Sequence, residues 1–228
     1  MIRRIMYIKL KDGVTPKETE RFEDLMRQTP KQIPCVTWST FGKNLYDSQM
    51  PPGIKGPWSY VWDFAIDQEK NIQTYNKHPY HVDVLIPVFR STSPTALVEN
   101  LTFIYFEPKV FSSKNREAQP SKQQLAYAFR EGITQKQIAD FDRMMLEMPK
   151  NIPQMRNFCL GTGIRPAEIS PWNRVWEWEF MTQEDFQYYL DHKAHMDVVP
   201  LFNGADSERL VSKLTNAQYR LDRSIITY

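Results

Sequence analysis

Tyr75-Asn76-Lys77-His78-Pro79-Tyr80-His81-Val82-Asp83 and Tyr189-Leu190-Asp191-His192-Lys193-Ala194-His195-Met196-Asp197 share one spacing, Tyr-x-x-His-x-x-His-x-Asp. The two stretches lie 114 residues apart and together hold all 4 histidines of the chain. Histidines used as core filler or surface decoration would not sort in this way. The stretch therefore marks an internal duplication, and the reading of the fold follows from it.

Upstream, the correspondence continues at a different spacing. Glu131-Gly132-Ile133-Thr134 answers Asp12-Gly13-Val14-Thr15, Phe141 answers Phe22 and Gly161 answers Gly42, each pair 119 residues apart. Beyond the glycines, Trp172, Val175 and Trp176 answer Trp58, Val61 and Trp62 at 114 again. One loop that is five residues shorter in the second copy accounts for the change. It falls at residues 43–57, where Pro51, Pro52, Gly53 and Gly56 cluster, as a tolerated length change in a surface loop should. A polar run around Ser112-Ser113-Lys114-Asn115-Arg116-Glu117 separates the copies. The chain thus divides into a first repeat at 1–108, a linker at 109–121 and a second repeat at 122–228. The tail from residue 207 aligns poorly and is expected to hold a short helix and a last strand.

Within the first copy, residues 2–10 read as a strand ended by the turn Lys11-Asp12-Gly13. Thr15-Pro16 with Glu18 is a helix start, Phe22, Leu25 and Met26 share one helical face, and Pro30 is expected to end that helix. Residues 33–41 form a second strand closed by Gly42, and 58–66 a third. Asp67 caps a helix through Ile72 and Tyr75 that Pro79 should interrupt, and a last strand lies near 101–106. The order β-α-β-β-α-β is the ferredoxin-like arrangement. Gly42 and Gly161 read as bulge or turn residues.

Such a sheet carries helices on one face only. On the third strand Trp58, Tyr60, Trp62 and Phe64 share a face opposite Val61 and Asp63. In the second copy Trp172, Arg174, Trp176 and Trp178 share one opposite Val175 and Glu177. That much aromatic surface is costly to leave wet. The expectation is that the two sheets face each other, turning their aromatic walls inward: an α+β protein whose two ferredoxin-like repeats form one intrachain pseudo-dimeric α+β barrel.

Composition narrows the function classes. Apolar residues make up 41% of the 228 and charged residues 25%, ordinary for a globular protein, with 13% aromatics. A net charge of +2 gives no reason to invoke nucleic acid or an anionic membrane. No run approaches the roughly 20 apolar residues of a membrane span. Cys35 and Cys159 occupy unmatched places and form no C-x-x-C, so a cytoplasmic location is expected.

The repeated stretch carries the chemistry. On a helix Tyr75, His78 and His81 fall on roughly one face. A histidine near neutral pKa can remove a proton beside a carbonyl, and a tyrosine hydroxyl can hydrogen-bond the developing enolate. The bland alternative is that the histidines fix the helix-to-strand junction by bonding backbone carbonyls. His-x-x-His-x-Asp also offers two imidazoles and a carboxylate to a metal, but no H-E-x-x-H or cysteine pair supports that. The reading is of no metal and no cofactor.

Lys-Asp-Gly-Val-Thr after the first strand, Ile-Pro before the second, the glycine after it and above all Tyr-x-x-His-Pro-x-His-Val carry a resemblance. Both halves are similar to the stress-responsive A/B barrel (Dabb) domain of the dimeric α+β barrel superfamily. The second copy departs in having Lys193 in place of the motif's proline. The family includes polyketide cyclases of the olivetolic acid cyclase type, a cofactor-free hydroxynitrile lyase, and stress-associated proteins without established chemistry. In the cyclases the motif's tyrosine and second histidine are the catalytic pair. The resemblance therefore implies Tyr75 with His81 and Tyr189 with His195 as catalytic residues. His78, His192, Tyr60, Arg174, Trp62 and Trp176 are the expected substrate-binding residues. Where those cyclases carry cavity histidines on their first and third strands, this chain has Arg4 and Tyr60, then Gln123 and Arg174. The function expected is a cofactor-independent lyase, cyclase or isomerase acting on a small carbonyl or polyketide-like compound. The rival is a non-enzymatic, stress-associated or small-molecule-binding barrel. The partner is a small molecule, with neither nucleic acid nor membrane, and the chain is a monomer with an internal pseudo-dimer or a homodimer.

Overall fold

The structure, a computed structural model, describes residues 1–45, 57–112, 121–165 and 169–221. The first repeat contains β1 (Ile2–Leu10), α1 (Pro16–Gln32), β2 (Val36–Lys43), β3 (Tyr60–Ile66), α2 (Ile72–Lys77), α3 (Ile86–Phe89) and β4 (Val98–Ser112). The second contains β5 (Ser121–Phe129), α4 (Gln135–Asn151), β6 (Phe158–Gly163), β7 (Arg174–Phe180), α5 (Gln183–Asp191), α6 (Lys193–Met196), α7 (Val199–Asn203) and β8 (Val211–Arg220). Between the repeats β4 continues to Ser112 and β5 begins at Ser121, so strand takes up both ends of the 109–121 segment. Most of the expected loop at 43–57 and the end of the tail lie outside the described residues.

The long helices start where local chemistry dictates. Thr15 Oγ1 accepts from the Glu18 N–H at 3.3 Å while the Thr15 N–H donates to Glu18 Oε2 at 2.9 Å. Thr134 and Gln137 repeat this reciprocal cap on α4, so donors orphaned at both helix starts are satisfied. Pro30 does not end α1. It sits inside the last turn, as Pro149 does in α4, and each helix continues to a cap at Ile33 or Ile152. A proline this close to a helix end interrupts little of the ladder. Phe22, Met26 and Thr29, matched by Phe141, Met145 and Met148, are the buried face of each helix.

Among the described residues the strands all pair antiparallel, in one eight-stranded sheet of order β2-β3-β1-β4-β6-β7-β5-β8. Its two ends meet. Asn44 bridges Tyr219, and the Leu45 N–H donates to the Gln218 carbonyl at 2.6 Å. This junction repeats the β4–β6 pairing in which Phe106 faces Gly163. The sheet is a closed barrel whose two seams are both contacts between repeats.

Three cores result. One lies between the first repeat's sheet and its helices, with Phe22, Met26, Tyr60, Trp62, Phe64, Tyr75 and Leu85. The second repeat has an equivalent, with Phe141, Met145, Trp176, Trp178, Phe186 and Tyr189. The third fills the barrel and draws on both repeats, among them Ile5, Tyr7, Val61, Phe106, Ala126, Val175 and Tyr219. This corrects the expected direction of the aromatic walls. Tyr60, Trp62 and Phe64 face their own helices, as do Trp176 and Trp178, and the opposite faces carrying Val61, Asp63, Val175 and Glu177 turn into the barrel. An eight-stranded barrel has an interior just wide enough for side chains to fill, and here Asp63 and Glu177 find Arg3 and Lys122 in it, so the face that carries the carboxylates is the one that turns inward.

Of the expected wall residues, among the described residues, Trp58 and Trp172, just before β3 and β7, are the ones that join the interior. Trp58 Nε1–H donates to Thr215 Oγ1 and Trp172 Nε1–H to Thr102 Oγ1, both at 2.7 Å, so each repeat reaches into the other. Gly42 and Gly161 are not turn residues but lie inside β2 and β6. A Cβ on Gly161 would stand 2.2 Å from Phe106 Cδ2, and one on Gly42 2.6 Å from Tyr219 Cδ2. Each glycine is the bare backbone on which the other repeat's ring lies across a seam.

Candidate functional site in the second repeat

The repeated stretch forms the same local structure twice. In the first repeat α2 ends at Lys77, His78 is extended, and the chain restarts at Pro79. In the second, α5 ends at Asp191, His192 is extended, and α6 follows. The two histidines of each copy then take different jobs. His78 Nδ1 accepts from the Tyr80 N–H at 3.2 Å, and His192 Nδ1 from the Ala194 N–H at 3.1 Å. These rings cap the restarted turns. His192 also lies 5.5 Å from the ring of Tyr188, an exposed residue, which places it toward the surface.

His81 and His195 face back to the preceding helix. His81 Nδ1 is 3.1 Å from the Asn76 carbonyl, and His195 Nδ1 is 3.0 Å from the Leu190 carbonyl. A carbonyl only accepts, so Nδ1 carries the proton in both rings and, in the neutral imidazole, Nε2 keeps a free lone pair. Burial lowers the pKa of each below its ordinary value, against the opposing effect of that backbone bond. Both are therefore neutral at neutral pH. Each packs on its tyrosine, with ring centres 4.5 Å apart for Tyr75–His81 and 4.2 Å for Tyr189–His195. Both tyrosines are buried, and burial pushes the Tyr75 hydroxyl upward against the pull of Arg4.

The environments of the two pairs differ. Beside Tyr189 and His195 lies a cavity of about 120 Å³ between the sheet and its helices. Gln123, Trp178 and Asn216 border it from the strands, Met145, Phe186 and Phe202 from the helices. In the first repeat the registers put Arg4 where Gln123 stands and Phe103 where Asn216 stands. The Arg4 guanidinium carbon lies 4.5 Å from the Phe103 ring centre and 4.9 Å from that of Tyr105.

The other expected substrate-binding residues stand elsewhere on the same sheet faces. The Tyr60 hydroxyl donates to Glu23 Oε1 at 2.6 Å, and Trp62 Nε1–H to Ser39 Oγ at 3.0 Å. Arg174, in the place of Tyr60, points to Asp142 on α4 at 3.9 Å, so a strand-to-helix hydrogen bond in one repeat becomes a charge pair in the other. Trp176 is fully buried, and Trp178, two residues on, borders the cavity in its stead. Among the described residues no three His, Cys, Asp or Glu side chains gather closely enough to hold a metal ion. Nor is any helix among them long and apolar enough to cross a membrane. Asn216 and Phe202 bordered no expected site. Phe202 precedes the poorly aligned tail and Asn216 lies within it, where the register is offset by one more residue, since Arg3 faces Phe106 but Lys122 faces Tyr219.

Two ferredoxin-like repeats closed into one α+β barrel, with a Tyr/His pair under the helices of each, define the class. The chain belongs to the stress responsive A/B barrel domain family, whose sequence profile matches residues 2–100 and again 122–214. Among curated proteins none matches. Among solved structures an anthrone oxidase-like protein is similar in fold, with a TM-score of 0.67 at 9% identity over 97% of this chain and 91% of that one. A Lactobacillus acidophilus NCFM protein provisionally assigned as a monooxygenase has a TM-score of 0.56 at 11% identity, covering 98% and 93%. Hydroxynitrile lyase from Passiflora edulis has a TM-score of 0.41 at 16% identity over 46% of this chain and 95% of its own.

Proposed function

We propose that the protein is a cofactor-independent lyase, cyclase or isomerase that acts by general acid–base chemistry on a small carbonyl compound, with the second repeat as its working site. One observation carries this reading: the Tyr189–His195 pair borders a cavity of about 120 Å³. His195 Nε2, free and neutral, takes a proton from the carbon beside the carbonyl. Nδ1–H stays bonded to Leu190 and holds the ring in place, as a fixed tautomer requires. The Tyr189 hydroxyl donates to the oxygen on which negative charge gathers. Tyr75 and His81 form the same pair in the first repeat and are a second candidate, with Arg4 beside them. Cys35 and Cys159 are unpaired thiols, in keeping with a reducing compartment such as the cytoplasm.

The test is deuterium exchange at the acidic carbon of acetylacetone, followed by NMR above the buffer background. His195→Ala should lower the catalysed rate by about 10²–10⁴-fold, the range of a positioned base. His81→Ala should change it little. Catalysed exchange that persists in the doubly substituted protein rules the reading out. Tight ligand binding with no exchange at all identifies the rival, a barrel that binds without turnover.

A further inference from the structure

The cavity itself says what kind of molecule it takes. Among the described residues that line it there is no Asp, Glu, Lys or Arg. An ionised ligand group there would lose its hydration and find no opposite charge, which buried charges require. A volume of about 120 Å³ suits a ligand near the size of one six-membered ring, since about 150 Å³ accommodates benzene. Most of the wall is Met, Phe, Leu and Val.

Two lining groups have unmet hydrogen-bonding capacity. Among the described residues Trp178 Nε1–H and the Asn216 amide oxygen find no hydrogen-bond partner, although both residues are at least nine-tenths buried. Buried polar atoms are nearly always paired, and an orphan asks for a reason. One of these is a donor and the other an acceptor, and both belong to residues that line the same cavity. The first repeat removes both features at once. Phe64 stands where Trp178 does and Phe103 where Asn216 does, neither with a polar atom to leave unpaired.

We infer that the second-repeat cavity binds an uncharged, ring-sized ligand carrying a hydroxyl, with Asn216 Oδ1 accepting from the hydroxyl and Trp178 Nε1–H donating to a ligand oxygen. This deepens the functional reading by naming a substrate class for the same cavity, and it rests on that reading only for turnover. It assigns Asn216 and Trp178 to binding, beside the Tyr189 and His195 pair.

Calorimetric titration of the full chain with phenol, toluene and benzoate tests it. Phenol should bind more tightly than toluene, and benzoate at least tenfold more weakly than phenol. Trp178→Phe and Asn216→Leu should each weaken phenol roughly fivefold, the loss of one hydrogen bond, and leave toluene unchanged. A purely structural effect of either change would weaken both ligands alike. Asn216→Phe, which installs the first repeat's own residue, should fill the cavity and abolish binding of both. Benzoate binding as well as phenol, phenol failing to bind, or phenol affinity indifferent to both substitutions would each overturn the inference. Phenol binding without acetylacetone exchange would uphold the ligand class and sink the enzymatic reading. Exchange without phenol binding would do the reverse.

Discussion

His195 is held by one bond and defined by it. Because Nδ1 donates to the Leu190 carbonyl, Nε2 is the nitrogen that can change protonation state at the cavity. Burial lowers its folded-state pKa below the ordinary 6.5, with the Leu190 bond and Asp191 opposing. Catalysed exchange should therefore rise with pH through a limb below 6.5 and run flat above it. The same shift bears on stability. Well above pH 6.5 the ring is neutral in both folded and unfolded chains and contributes no pH dependence. As the pH falls from there toward the folded pKa, the unfolded chain binds its proton first and the fold loses stability, levelling once both states are protonated. His195→Gln should reduce the slope of a urea-midpoint profile between pH 7 and 5, leaving the share of His81, and an unchanged slope would count against the assigned burial. The sequence spacing put Tyr75, His78 and His81 on roughly one helical face, and it was the family resemblance that singled out Tyr75 with His81 and Tyr189 with His195, whose rings lie against each other. The spacing was silent on the division of labour, because capping by His78 and His192 depends on Nδ1 geometry at a restarted helix, which residue identity alone does not specify.

At the level of elements, the duplication made nearly every strand and helix legible, since each was supported twice. What it left open was the direction each strand face points. Alternation along β3 and β7 sorts residues into two sets, but either set satisfies it, and the choice goes with the charges: Asp63 and Glu177 turn to the face on which Arg3 and Lys122 neutralise them, which leaves Trp62, Phe64, Trp176 and Trp178 under the helices. The glycines in β2 and β6 were open for a related reason. A lone glycine in a strand signals a bulge, a bend or a close approach, and only the partner shows which. Here the partner is a ring from the other repeat, Phe106 over Gly161 and Tyr219 over Gly42. Gly161→Ala would place its methyl 2.2 Å from Phe106 Cδ2, within β6 and against another strand. It should destabilise the protein by about 1–3 kcal/mol through overpacking. Gly161→Ala combined with Phe106→Leu should lose less than the two single changes summed, because the smaller side chain makes room. Chemical unfolding of the four proteins checks this, and strict additivity would mean the ring does not press on the glycine.

For the whole molecule, the deciding feature is the charge inside the barrel. Arg3 from β1 and Lys122 from β5 meet Asp63 from β3 and Glu177 from β7, one cation and one carboxylate from each repeat. Arg3 pairs with both carboxylates, Lys122 Nζ lies 3.1 Å from Glu177 Oε2 and 3.4 Å from Asp63 Oδ2, and Gln124 Nε2 donates to both acids at 2.8 Å. Two positive and two negative charges cancel, so this interior can be dry without a net charge in it. Burial works against the ionised form of Glu177, but Arg3 and Lys122 outweigh it and pull its pKa down to about 2. A carboxylate with a depressed folded pKa supports the fold fully above its unfolded value near 4.5 and ceases to as the pH falls through about 2. Acid should therefore weaken the closed barrel across that window. Glu177→Gln would leave Arg3 and Lys122 facing Asp63 alone, an uncompensated buried cation, and should lower stability at pH 7 by about 3–5 kcal/mol. The same variant should lose less than the unsubstituted chain between pH 4.5 and 2, since the group that titrates there is gone. Urea unfolding at pH 7 and pH 3 measures both. Equal stability of the two proteins at pH 7 would show that the quartet does not hold the repeats together, and that the apolar interior and the two seams close the barrel without it.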